Sequence, residues 1–183
     1  MAGRVELKQL GFDGAVRVAG HRELAADDWG EVVGHQPRCE LVGVDIVEHL
    51  DQDLPEVMGD AHQLQQVFLN ILNNAYDAVH EVGRPARIEI MSTKAGEVVE
   101  VSFRDNGNGI TDPDKIFDPF FTTKEIGKGT GLGLSICYGI LKEHGGEILC
   151  HNNAGGQGAT FIVRLPASSN TASLRGAAGV IQP

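Results

Sequence analysis

The segment Gly127-Lys128-Gly129-Thr130-Gly131-Leu132-Gly133-Leu134-Ser135 alternates glycine with other residues and runs directly into a predicted helix over 131–144. Glycine lets the backbone approach a ligand closely, and the N–H groups at a helix N-terminus attract phosphate. The spacing is not that of a Walker-type P-loop, because GxxxxGK[ST] is absent, and no strand immediately precedes the glycines as in a dinucleotide-binding fold. The segment therefore predicts a phosphate cradle of another kind.

The composition indicates one domain with a glycine-rich half. The chain has 183 residues and 24 glycines, twelve of which lie between Gly107 and Gly158, well above the usual glycine level of about 7%. Fifteen lysines and arginines against 25 acidic residues give a formal charge of −10. That charge argues against nonspecific nucleic-acid binding, which needs a basic face, but it does not exclude a small anionic ligand.

The cysteines and the hydropathy predict a cytoplasmic chain. Cys39, Cys137 and Cys150 are odd in number and widely spaced, without a CxxC pair, so we expect reduced thiols rather than disulfides or a zinc site. No apolar run reaches the roughly 18 residues that a membrane span needs. We expect no membrane insertion by this chain, although an anchor elsewhere in a full-length protein is compatible with it.

The pattern of apolar residues and turn signals predicts alternating strands and helices. Strands are predicted over 39–50, 86–93, 98–104, 147–151 and 159–165, with a connection over 51–59. Residues 5–10 fit a strand or a linker end, and residues 27–33 fit one or two helical turns. We expect a lead-in over 1–39, a domain over 40–166 and a flexible tail or linker over 167–183.

The clearest helix follows Asp60, which is placed to cap it, and ends before Gly83 and Pro85. Its apolar residues recur at helical spacing and predict a face buried in the core: Leu64, Val67, Phe68, Ile71, Leu72, Ala75, Ala78 and Val79. A second stripe carries Gln66, Asn70, Asn74 and Asp77. This stripe fits a solvated face, yet it has no lysine or arginine, and oxygen-bearing side chains one turn apart can hold Mg²⁺.

Five motifs in order resemble those of the ATP-binding catalytic domain of sensor histidine kinases, in the superfamily shared with DNA gyrase, MutL and the heat-shock chaperone ATPases. The segment from Gln66 to Ala75 resembles the N box, and Asp105-Asn106-Gly107-Asn108-Gly109 resembles the G1 box. The segment from Ile116 to Lys124 resembles the F box, and Gly129-Thr130-Gly131-Leu132-Gly133-Leu134 the G2 box. Gly158-Ala159-Thr160-Phe161 resembles the last glycine motif. The Phe-Phe-Thr-Thr-Lys sequence is most similar to the nitrogen-regulatory class.

The resemblance implies a two-layer α/β sandwich, in which a mixed β-sheet packs on helices in the Bergerat-type ATP-binding fold, with a flexible ATP lid. It implies that Asn70 and Asn74 hold Mg²⁺ and the phosphates of ATP, that Asp105 accepts from the adenine amino group, and that Thr160 lies near adenine. Lys124 is the candidate cation for the β- or γ-phosphate. The remaining expected nucleotide contacts are Asp77, Gly107, Gly109, Ile110, Phe120, Gly129, Thr130, Gly131, Leu132, Gly133 and Leu134. The lid would run over 108–130, anchored or latched by Phe117, Phe120 and Phe121.

The residue at position 66 favours a kinase over an ATPase. In this superfamily the hydrolysing branches carry a glutamate one turn before the first N-box asparagine, and this chain has Gln66 there. Glutamine is a poor general base, so water activation is lost, whereas an attacking imidazole needs none. Two alternatives stay open: a self-contained ATPase of the gyrase or MutL kind, and a non-catalytic nucleotide-binding regulatory module.

No histidine of the chain matches the phosphoacceptor motif of the family. His21-Arg22-Glu23-Leu24 is a partial match that lacks the adjacent acid and the Asn-Pro pair. The others, which match no better, are His35, His49, His62, His80, His144 and His151. We therefore expect the acceptor to be a dimerisation domain outside this chain, dimerisation to require that missing hairpin, and a cognate response regulator to be a further partner.

Overall fold

The computed structural model describes residues 5–6, 15–19, 44–51, 53–82, 84–124 and 129–168. Its elements, in chain order, are β1 (Val5–Glu6), β2 (Ala15–Ala19), β3 (Val44–Leu50), β4 (Glu56–Met58), α1 (Ala61–His80), β5 (Ala86–Ala95), β6 (Val98–Asp105), α2 (Gly133–Glu143), β7 (Glu147–Asn152) and β8 (Ala159–Pro166). The helical turns predicted over 27–33 and the tail over 169–183 lie outside the described residues.

The main sheet has five strands in the order β3-β5-β6-β8-β7. The pairing of β3 with β5 is parallel, and the other three pairings are antiparallel, so the sheet is mixed. One face is apolar because alternate residues such as Ile90, Val101 and Phe103 are buried against the helices. The rings of Phe103 and Phe68, on α1, lie 5.9 Å apart between centroids. The predicted two-layer α/β sandwich is confirmed.

Helix α1 forms where the apolar periodicity predicts it. The Asp60 carboxylate accepts from the backbone N–H groups of His62 (2.9 Å) and Gln63 (3.1 Å), which confirms the predicted cap. The Asp60 N–H donates to Nε2 of His144, at 2.9 Å, just after the end of α2. This hydrogen bond therefore joins the N-terminus of α1 to the C-terminus of α2. It links residues far apart in sequence, so no local sequence pattern predicts it.

Several element boundaries differ from the sequence predictions. The segment over 51–59, predicted as a connection, contains β4. Strand β4 pairs in parallel with β2, so part of the predicted lead-in over 1–39 is hydrogen-bonded to this segment. Helix α2 begins at Gly133 rather than at residue 131, because Gly131 has a φ of +65° and cannot belong to a right-handed helix. Among the described residues, neither helix is long and apolar enough to cross a membrane.

The fold brings the middle of α1 beside the start of α2. The side-chain Nδ2 of Asn70 donates to the backbone carbonyl of Gly133 at 3.4 Å. One turn further along α2, the Cys137 thiol donates to the carbonyl of Val67 at 3.7 Å. The polar stripe of α1 therefore borders the N-terminus of α2, where the glycine-rich segment ends.

Candidate functional site

The polar stripe of α1 meets a lysine from the segment before α2. Nζ of Lys124 donates to Oδ1 of Asn74 at 3.3 Å and to Oδ2 of Asp77 at 2.5 Å. Asn70 and Asn74 are partly buried, whereas Gln66 is exposed. The structure thus brings together Asn74, Asp77 and Lys124, with Asn70 one turn away against Gly133. A cationic group already lies among these oxygen atoms.

Asp105 is a buried carboxylate at the end of β6, with 3% of its surface exposed. Its Oδ1 accepts from the backbone N–H groups of Gly107 (2.8 Å) and Ala159 (3.2 Å). Its Oδ2 receives no hydrogen bond from any other residue that the structure describes. Burial raises the pKa of Asp105 above its ordinary value, and the backbone N–H groups of Gly107, Ala159 and Asp105 itself, together with the Arg84 charge, oppose that shift. Oδ2 is therefore a buried acceptor that no other described residue binds.

Gly107 lets the loop after Asp105 lie directly on α1. A Cβ atom at Gly107 would come within 2.6 Å of the backbone carbonyl of Ala78, a clash that no small shift relieves. The close approach brings the Asp105 loop to the C-terminal half of α1, near Asp77. Gly109 and Ile110 follow, and Ile110 is partly buried against the core.

The predicted phosphate cradle forms the N-terminus of α2. Leu132 precedes the helix, and no side chain caps its first turn in the described part of the chain. The Thr130 hydroxyl accepts from the Leu132 N–H at 3.3 Å, and Gly129 lies against Lys124. The first N–H groups of α2, at Gly133 and Leu134, therefore lie at an uncapped helix N-terminus, a surface that favours an anion.

Thr160, which the motif predicts near adenine, lies on β8 next to Ala159. It pairs with Arg104 across the sheet, and side chains alternate along a strand, so it lies on the face opposite to the Asp105 carboxylate. Its Oγ1 donates to Oδ1 of Asn153 at 2.7 Å. The residue of β8 beside Asp105 is Ala159, which contributes a backbone N–H. That Thr160 lies near adenine stays a prediction, and in this structure its side chain contacts Asn153 rather than Asp105.

Residues 59–169, which include all the groups described above, match the profile of the histidine kinase-, DNA gyrase B- and HSP90-like ATPases. The chain belongs to this family. It is 42% identical over 144 residues to the sensor kinase CckA of Brucella abortus (strain 2308), covering 70% of this chain and 15% of CckA. The chain therefore corresponds to the ATP-binding catalytic domain of sensor histidine kinases.

Solved structures agree with this assignment. The nucleotide-free catalytic domain of histidine kinase ThkA matches with a TM-score of 0.58 at 38% identity, over 68% of this chain and 80% of that domain. A complex of ThkA with the response regulator protein TrrA matches with a TM-score of 0.55 at 33% identity, over 68% of this chain and 34% of ThkA. The family implies ATP as ligand. The nitrogen-regulatory subtype stays a prediction.

In this histidine kinase domain the predicted lid phenylalanines differ in environment. Phe117 packs against the core, with its ring centroid 6.1 Å from that of Tyr138 on α2. Phe120 is 75% exposed and has a φ of +68°, which is uncommon outside glycine. Its N–H donates to the Gly131 carbonyl at 2.9 Å, which fixes this turn to the start of the cradle. Residues 125–128 of the predicted lid lie outside the described residues.

Three residues that the motifs do not mark also shape the kinase site. Arg84 donates from Nε to the carbonyl of Asn106 (2.9 Å) and from an Nη atom to that of Gly107 (2.8 Å). Asn152, the last residue of β7, and Asn153, which follows it, bind the two ends of the same loop. Each contact joins residues distant in sequence, so no local periodicity signals it.

Proposed function

We propose that this domain binds ATP with Mg²⁺ and transfers the γ-phosphate to a histidine on a dimerisation domain outside the chain. The observation that carries the proposal is the order of groups along α1. The Asp105 loop contacts Ala78, Lys124 contacts Asn74 and Asp77, and the N-terminus of α2 contacts Asn70. Ala78 and Asn70 are about 12 Å apart along the helix axis. A base acceptor, a cation and an anion cradle thus follow one another on the scale of a nucleoside triphosphate.

Asp105 would select adenine. The adenine amino group is a donor, whereas guanine presents a carbonyl acceptor at the corresponding position. A buried carboxylate oxygen that no other described residue binds suits a donor and repels an acceptor. Because its other oxygen is held by two backbone N–H groups, Oδ2 has a fixed direction.

The residues present suit Mg²⁺. Asn70, Asn74 and Asp77 supply carboxamide and carboxylate oxygens, the ligand type that Mg²⁺ prefers, and two of these residues already accept from the positively charged Lys124. When bound, the ion would neutralise charge on the phosphates. Lys124 would exchange Asp77 for a phosphate oxygen, and the uncapped start of α2 would orient the phosphate chain.

Transfer to histidine is favoured over hydrolysis because Gln66 cannot remove a proton from water. The exposed side chain of Gln66 leaves that end of the stripe open to an incoming imidazole. The chain spans only 15% of CckA, so the acceptor domain, a response regulator and a cytoplasmic location are part of the proposal. The ThkA complex with a response regulator supports the second of these partners.

The test is to mix the chain with ATP labelled at the γ-phosphate and an isolated dimerisation hairpin from a CckA-like kinase. We expect labelled hairpin whose phosphate is lost in acid and retained in base, as for phosphohistidine. Rapid release of phosphate by the chain alone, with no labelled hairpin, would instead favour the self-contained ATPase.

A further inference from the structure

Asn152, the last residue of β7, makes a two-point contact with the backbone of Ile110. Its Oδ1 accepts from the Ile110 N–H at 2.6 Å, and its Nδ2 donates to the Ile110 carbonyl at 2.9 Å. The carboxamide thereby pairs with the backbone as a neighbouring strand would. Ile110 is the residue from which the chain enters the segment that carries Phe117, Phe120 and Lys124, so Asn152 fixes the start of that segment.

Asn153, the next residue, holds the other end of the same loop. Its Nδ2 donates to the Asp105 carbonyl at 2.7 Å and to the Gln157 carbonyl at 3.0 Å. Its Oδ1 accepts from the Thr160 hydroxyl at 2.7 Å. Asn153 is only 8% exposed, and both donors and the acceptor of its side chain are used. The carbonyl that it binds belongs to Asp105, the proposed base acceptor.

We infer that Asn152 and Asn153 are positioning residues that hold the loop over 105–110 from its two ends and so orient the Asp105 carboxylate toward the nucleotide. The expected effect on nucleotide binding rests on the proposed function. The clamp, meaning the contacts of Asn152 and Asn153 with the loop over 105–110, is present in the nucleotide-free chain. It also gives Thr160 a role: its hydroxyl supports Asn153 from the outer face of the sheet.

The two contacts act on different parts of the nucleotide. Asn153 fixes the backbone of Asp105, so its loss changes the direction of Oδ2 and weakens binding of the adenine base. Asn152 fixes the exit from the loop at Ile110, so its loss frees the start of the predicted lid. Asn152 is exposed and Asn153 is buried, so we expect the larger loss of stability at Asn153.

The experiment compares Asn152→Ala, Asn152→Asp and Asn153→Ala with a neighbouring control, His151→Ala. His151 is exposed and lies on the opposite side of β7 from Asn152. Amide hydrogen exchange is measured without nucleotide at Ile110 and at Val101 in the sheet, and ADP affinity is measured by calorimetry. For Asn152→Ala we expect exchange at Ile110 to rise about tenfold with Val101 unchanged, and ADP to bind about fivefold more weakly. Asn152→Asp keeps the acceptor for the Ile110 N–H but loses the donor to the Ile110 carbonyl, so its protection at Ile110 should lie between those of the wild type and Asn152→Ala.

Unchanged exchange at Ile110 in Asn152→Ala would overturn the clamp. Raised exchange with unaltered ADP affinity in both alanine variants would overturn its positioning role. If Asn153→Ala does not fold, Thr160→Val removes only the hydroxyl donor to Asn153 and should weaken ADP binding about twofold to threefold; no weakening would count against Asn153. Failure of the wild-type chain to bind ADP would refute the proposed function, while the exchange data, collected without nucleotide, would still decide the clamp.

Discussion

Replacing Asp105 by asparagine tests the base pocket with almost no change of shape. The N–H groups of Gly107 and Ala159 both donate to Oδ1. An asparagine at this position must keep its carbonyl oxygen toward those two donors, so its NH₂ group takes the position of Oδ2. The variant would then present a donor where the wild type presents an acceptor, and the adenine amino group would face another donor.

The size of the effect follows from the bond that is lost. A hydrogen bond to a charged group contributes about 1.5–3 kcal/mol, which corresponds to about tenfold to a hundredfold weaker ATP binding. The guanine carbonyl would gain a donor in the same variant, so the preference for ATP over GTP should fall further than the ATP affinity alone. The free energy of unfolding should not fall, because the substitution removes the cost of burying a carboxylate.

Calorimetry with ATP and GTP, together with thermal unfolding, measures both effects. Asp45→Asn, at an exposed carboxylate paired with Arg87, is the matched control. Unaltered ATP affinity and an unaltered ATP-to-GTP ratio in Asp105→Asn would refute the assignment of Asp105 to adenine. Weaker binding accompanied by a large fall in the unfolding temperature would show that the variant acts through stability instead.

The burial of the Asp105 carboxyl group also predicts a pH dependence of stability. Because burial raises the pKa of Asp105 in the folded chain, the folded state binds this proton more tightly than the unfolded state. The free energy of unfolding should therefore fall as pH rises from about the ordinary pKa of an aspartate carboxyl group through the raised pKa of Asp105 in the folded state. Urea unfolding across that range should show this slope in the wild type, and the slope should be smaller in Asp105→Asn. Equal slopes would contradict burial of the charge.

Three further variants test the remaining parts of the site. Asn70→Ala should abolish Mg²⁺-dependent transfer to a supplied acceptor hairpin while changing the free energy of unfolding by less than about 1 kcal/mol; retained transfer would remove Asn70 from the site. Lys124→Met should cost less than about 1 kcal/mol of stability, because its ion pair is partly exposed, yet slow transfer at least tenfold at saturating ATP; equal rates would leave Lys124 a surface residue. Gly158→Ala should unfold the chain at a much lower temperature, since the new Cβ would lie 2.0 Å from the Asp105 carbonyl, whereas Gly155→Ala meets open space; equal melting temperatures would contradict this packing.

The helix with the polar stripe could be predicted from sequence because its information is local. The apolar repeat places Val67, Phe68 and Ile71 in the core, and Asp60 marks the start of α1. The same repeat leaves Asn70 and Asn74 together on another face, since residues four apart lie one turn above each other. The strands predicted over 86–93 and 98–104, which correspond to β5 and β6, were predictable for a similar reason, because the pattern of apolar residues and the turn signal between them are both local.

The parts that sequence did not predict depend on long-range contacts. No sequence motif marks Asn152 or Asn153, and only the fold brings them to the loop over 105–110. The motif that contains Thr160 gives residue types but not the face of the sheet that each side chain occupies, and the register with Arg104 supplies that face. Strand β4 is three residues long, follows Pro55, and forms against β2 rather than through its own pattern.

The most direct test of the account is the structure of the chain bound to Mg²⁺ and a non-hydrolysable ATP analogue. We expect the adenine amino group within hydrogen-bonding distance of Oδ2 of Asp105. We also expect phosphates at the N-terminus of α2 and a metal ion beside Asn70 and Asn74. A nucleotide whose base lies away from Asp105, or whose phosphates do not approach Gly133, would contradict it.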